Sequence, residues 1–154
     1  MDNASEGRVL VLGVGNLLLG DEGVGIHAVR ELEGRALPPH VDVVDGGTPG
    51  LDLPDLISGY ERVMIIDAVD AGAKPGTIFR FTPGDVTPKA DAFPLSLHQV
   101  EILKVLELAT CLGQALPPIV VYGIQPEDLS WRMNLSTALQ ERLPELVEAI
   151  LEEL

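Results

Sequence analysis

Three shortages frame what this chain can be. It has a single cysteine, Cys111, so no internal disulfide can form, and nothing points to a stapled, secreted scaffold. Cations are scarce: Lys and Arg number 10 against 24 Asp and Glu, a formal net charge of −14. Duplex nucleic acid and anionic membrane surfaces both reward a basic face, so neither is expected as a partner. Long apolar runs are missing as well. The longest, Val9–Val14 and Ile119–Tyr122, fall far short of the ~20 residues of a membrane-spanning helix. The opening MDNASEGR is polar and acidic, without the basic and apolar regions of a signal peptide, and no internal repeat or low-complexity tract occurs. A soluble, cytoplasmic protein is the expectation, with a charge compatible with a cationic partner or a metal.

What is present suffices for one ordinary domain, residues 1–154. A chain of this length buries roughly 68–70% of the surface its unfolded form exposes. With 46% hydrophobic and 22% charged residues, wholesale disorder is excluded. Short β-rich runs alternate with helical patterns. Arg8–Val14 is a β-branched and Leu run, the mark of a strand covered on both faces. A helix is expected over Gly23–Leu37, with Val24, Ala28 and Leu32 at spacing four. A second strand, Val41–Val44, ends in Asp45-Gly46-Gly47-Thr48-Pro49-Gly50. There Thr48 can cap a short helix with Pro49 at its first position, reaching about Ser58. Arg62–Ala68 is a third strand, and Thr77–Phe81 a short fourth at an edge. After a polar connection, Ser96 is the expected cap of a helix from Leu97 to about Leu112, and Ile119–Gly123 is a fifth strand. The last helix starts near Ser136 and carries the stripe Leu139, Leu143, Leu146, Val147, Ile150 and Leu151; Pro144 inside it should kink or split it. This order calls for an α/β fold: a mostly parallel twisted sheet of about five strands with helices on both faces. The functional crevice of such a sheet lies beyond the carboxyl ends of its strands.

After the first strand the chain reads Gly13-Val14-Gly15-Asn16-Leu17-Leu18-Leu19-Gly20-Asp21-Glu22-Gly23-Val24-Gly25. A dinucleotide fingerprint would put a glycine where Leu18 stands, and Asp21-Glu22 would oppose a pyrophosphate at the helix N-terminus; no nucleotide cofactor is expected. The two acids allow two readings. Asp21 caps the helix and Glu22 complements its dipole, or a carboxylate faces the crevice. Asp67 closes an apolar strand, a costly place for a buried carboxylate without a partner. It either caps the next loop or aims into the crevice. His98 lies in the first turn of a helix, whose field keeps imidazole neutral and fit for a metal. His27, inside the first helix, reads as structural or peripheral. Cys111 sits near a helix end, away from every motif, and reads as a small buried hydrophobe rather than a nucleophile. Glu22, Asp67 and His98 thus offer two carboxylates and an imidazole near one edge of the sheet. That set suits a divalent transition metal with positions left open.

Together, Gly13-Val14-Gly15-Asn16 with Asp21-Glu22-Gly23-Val24-Gly25, Asp45-Gly46-Gly47-Thr48, Ile66-Asp67-Ala68 and Ser96-Leu97-His98-Gln99 resemble the nickel–iron hydrogenase maturation endopeptidases, over nearly the whole chain from about Val9. The resemblance implies an endopeptidase that removes a short C-terminal extension from the precursor of the hydrogenase large subunit once nickel has been inserted. It implies Glu22, Asp67 and His98 as metal-binding residues, with Glu22 where many relatives carry Asp. It also implies that Asp45, Gly46, Gly47 and Thr48 line the substrate cleft. A metal there can polarise a carbonyl or activate water, or it can belong to the substrate and be read as a maturation check. The resemblance favours nickel carried by the substrate; Asp45 and Asp67 are then the candidate catalytic carboxylates. The rivals are a nucleotide-binding α/β protein and a non-catalytic nickel-binding accessory protein of hydrogenase assembly. Three geometric expectations follow. Glu22, Asp67 and His98 converge on one point, at least one of Gly46 and Gly47 has positive φ, and their amides face the cleft.

Overall fold

The computed structural model describes residues 7–85 and 97–154, with side chains from 101 onward in the second stretch. Among these residues five strands make one sheet: β1 (Val9–Gly13), β2 (Val41–Asp45), β3 (Arg62–Ala68), β4 (Ile78–Phe81) and β5 (Ile119–Ile124). Their order across the sheet is β2-β1-β3-β5-β4. All neighbours run parallel except β4, which pairs antiparallel with β5 and closes one edge. Among the described residues four helices cover the faces: α1 (Val24–Glu33), α2 (Leu53–Ile57), α3 (Leu97–Cys111) and α4 (Thr137–Glu153). None of the described helices is long and apolar enough to cross a membrane.

The central strands are buried along nearly their whole length because helices lie on both sides. Alternation along β3 divides the core. Met64, Ile66 and Ala68 pack with Val24, Ala28 and Leu32 of α1 and Leu139, Leu146, Val147 and Ile150 of α4. Val63 and Ile65 pack with Leu53 and Ile57 of α2 and Leu106 of α3. By the same period of two, Asp67 stands on the α2/α3 side. The chain leaves β1 toward β2 through α1, and leaves β3 toward β4 and β5 on the other side. The connections therefore part between β1 and β3, and the crevice opens at the carboxyl ends of those two strands.

Several local expectations are revised. A 3-10 turn, Gly20–Gly23, precedes α1, which stops at Glu33 rather than Leu37. Thr48 makes no cap: a 3-10 turn at Gly50–Asp52 leads into α2 without a side-chain cap bond, and Thr48 stays exposed in the loop. Pro144 does not split α4, which runs on from Thr137 to Glu153. Pro144 is exposed, while Leu139 before it and Leu146, Val147 and Ile150 after it are buried and hold both halves against the sheet. Cys111 is exposed, because the last residue of α3 falls on its solvent side. The connection over 86–96, with the expected cap Ser96, lies outside the described residues.

Candidate active site

The 3-10 turn Gly20–Gly23 packs against β3 and brings Glu22 toward Asp67. Asp67 is 2% exposed at the carboxyl end of β3. Its Oδ1 accepts a hydrogen bond from the Ala68 N–H at 2.8 Å. Burial pushes this carboxyl well above the usual carboxylate range; the Ala68 N–H opposes the rise, and the nearby Glu22 carboxylate adds to it. Glu22 itself is half-buried. An acid from the turn before α1 and one from the end of β3 thus share one corner, where burial and the Glu22 carboxylate both disfavour the charge of Asp67. A pair of this kind fits a cation, which offsets that penalty.

His98 occupies the first turn of α3. α3 reaches β5 through residues 112–118 at the amino edge of the sheet, and its 15 residues span about 22 Å. Its first turn therefore stands toward the carboxyl edge; the His98 side chain lies outside the described residues. Among the described residues no group of three His, Cys, Asp or Glu side chains is close enough to hold a metal, so the pair Glu22 and Asp67 is what the structure brings together.

At the end of β2, Asp45 is exposed and its Oδ1 accepts the Gly47 N–H at 2.9 Å, a tight local turn. Gly47 has φ +54°, with open space where a side chain would start, so backbone conformation rather than crowding selects glycine there. The amides of the pair do not point at a cleft. The Gly46 N–H is held by the Gly13 carbonyl at 2.8 Å, and the Gly47 N–H by Asp45. The loop is thereby stitched to the end of β1, which sets Asp45 beside the crevice, with Thr48 exposed next to it.

Two residues organise this edge: Asp21, read from the sequence as a helix cap or a crevice carboxylate, and Gln125, which the sequence reading did not single out. Asp21 is fully buried and is no helix cap. Its Oδ2 accepts from Glu127 N at 2.8 Å, Asp128 N at 2.9 Å and Ser136 Oγ at 2.8 Å, and its Oδ1 from Ser136 N at 2.7 Å. Gln125, also buried, accepts at Oε1 from Ala71 N and Ala73 N and donates from Nε2 to Asp70. It secures the loop that follows Asp67. An Asp inside a Gly-rich turn was the visible signal for Asp21, but its partners lie 106 to 115 positions away. His27, read from the sequence as structural or peripheral, lies inside α1. Burial lowers its proton affinity, and its Nε2 finds no hydrogen-bond partner among the described residues.

Comparison with known proteins agrees with this architecture. A family model described as hydrogenase maturation protease matches residues 26–153. The chain is 36% identical over 143 residues to the hydrogenase expression/formation protein HupD of Bradyrhizobium diazoefficiens, covering 92% of this chain and 74% of that protein. It is 32% identical over 146 residues to the hydrogenase 2 maturation protease of Escherichia coli, covering 94% and 88%. Among solved structures, the E. coli hydrogenase maturating endopeptidase HybD superposes with a TM-score of 0.80 at 32% identity, over 95% of this chain and 91% of that one. The HybD protease of Thermococcus kodakarensis gives a TM-score of 0.76 at 29% identity, over 95% and 98%. The crevice carboxylates therefore sit on the scaffold of a peptidase, and the chain belongs to the hydrogenase maturation protease family.

Proposed function

We propose that this protein removes a C-terminal extension from the nickel-loaded precursor of a [NiFe]-hydrogenase large subunit, with Glu22, Asp67 and His98 reading nickel that the substrate holds. The observation that carries this reading is the buried Asp67 carboxyl, pushed above its usual range by burial and by Glu22. An acid pair of this kind gains little from water and much from a divalent cation brought by a partner. Docking of the cation displaces the proton that burial favours on Asp67. Two oxygens and one imidazole leave coordination positions for soft ligands such as precursor thiolates, which suits a reader of metal held elsewhere.

With the metal docked, the tail of the precursor runs past Asp45-Gly46-Gly47-Thr48. Hydrolysis needs a water deprotonated as it attacks and a leaving amine that receives a proton. Asp45, exposed at the end of β2, takes the proton of the attacking water and returns it to the amine.

The test mixes purified enzyme with nickel-loaded and nickel-free precursor. Cleavage of the loaded form alone is expected, and His98→Ala should abolish it with an unchanged thermal melt. Free nickel is then added to enzyme and nickel-free precursor, under conditions where the metal cannot enter the precursor. Efficient cleavage there would make nickel a cofactor of the enzyme and overturn the reading.

A further inference from the structure

We infer that Asp21 is a positioning residue for Glu22: its buried carboxylate clamps segment 127–136 and so fixes the turn from which Glu22 faces Asp67. The inference rests on the nickel-reading role proposed for Glu22 and deepens it.

The clamp is made by side chain and backbone together. Besides the four bonds to the Asp21 carboxylate, the backbone of the turn is laced to the same segment. Gly20 N donates to Arg132 O at 2.7 Å, Asp21 N to Asp128 O at 2.8 Å, and Arg132 N to Leu18 O at 3.0 Å. Gly15 also lies so close that a Cβ on it would stand 1.9 Å from the Glu22 carbonyl oxygen. The turn is held by segment 127–136 and packed against Gly15. In a 3-10 turn successive side chains diverge by about 120°. With Asp21 committed to segment 127–136, Glu22 is turned away from that segment, toward β3.

The clamp also needs a carboxylate. Both oxygens face donors only, three at Oδ2 and one at Oδ1. An Asn keeps the volume but sets an NH2 group against at least one of those donors, whichever way it flips. Asp21→Asn therefore loosens the clamp without leaving a cavity. Ser136→Ala removes a single donor and loosens it less.

The test is a Ni2+ titration of 15N-labelled enzyme, read by paramagnetic broadening of amide signals around residues 22 and 67. This readout gives an affinity even for a weak site. Asp21→Asn should weaken Ni2+ binding about tenfold, the scale of losing an outer partner of a metal ligand. Ser136→Ala should do so by a smaller factor, and it serves alone if Asp21→Asn does not fold. Glu22→Gln should weaken binding too, and Asp21→Asn/Glu22→Gln should bind no more weakly than Glu22→Gln alone, because Asp21 acts through Glu22. Wild-type affinity in Asp21→Asn and Ser136→Ala despite a lowered melting temperature would overturn the inference and leave the nickel reading standing. So would a double variant weaker than Glu22→Gln by the full factor of Asp21→Asn. Wild-type affinity in Glu22→Gln would overturn the nickel reading itself and the inference with it.

Discussion

Asp67 is under two opposed demands: the interior of the sheet disfavours its charge, and the proposed chemistry needs it. Its folded-state proton affinity is raised, so folding takes up a proton between the ordinary carboxylate range and its own higher midpoint. The unfolded chain binds fewer protons across that window, and stability falls as pH rises through it. An Asn cannot ionise and keeps an oxygen for the Ala68 N–H. Asp67→Asn should therefore flatten that slope and add about 0.5–2 kcal/mol at neutral pH, measured by urea unfolding at a series of pH values, while abolishing cleavage. The sequence singled out Asp67 because it closes an apolar strand and Glu22 because it stands in the loop after the first strand, and the structure brings the two together. The role of Asp21 was not legible, since the donors that explain it come from a distant loop with no recognisable pattern.

At the scale of elements, the strands were legible almost to the residue. Doubly covered strands announce themselves as continuous Val, Leu and Ile runs, and β3 falls on Arg62–Ala68 as expected. Helix starts were legible too, α1 and α4 beginning one residue after the expected Gly23 and Ser136 and α3 at Leu97, whereas the cap expected at Thr48 does not form. Ser136 spends its hydroxyl on Asp21 and makes no cap bond to α4. Pro144 shows the same priority, packing of α4 outweighing a missing backbone donor. That defect remains a local cost, since proline removes one helical hydrogen bond and crowds the preceding turn. Pro144→Ala, at an exposed position, should raise stability by about 1–3 kcal/mol in chemical denaturation and leave cleavage of the precursor unchanged.

For the molecule as a whole, chain order fixed the place of the crevice, because parallel crossovers leave few ways to arrange five strands. The net charge of −14 acts at this scale too. Self-repulsion weakens the compact state, so raising salt from about 0.01 M to about 0.15 M should screen it and raise Tm by about 2–4 °C in a calorimetric scan. The clamp on Asp21 has one more consequence, in time rather than space. Asp21 and Ser136 are 115 positions apart. A nascent chain that has already delivered positions 22, 67 and 98 from the ribosome still lacks the donors that lock the turn. Translation proceeds from the N-terminus, so the clamp closes only once the segment after β5 has been made. The turn that presents Glu22 is thus locked only after every strand of the sheet has been made.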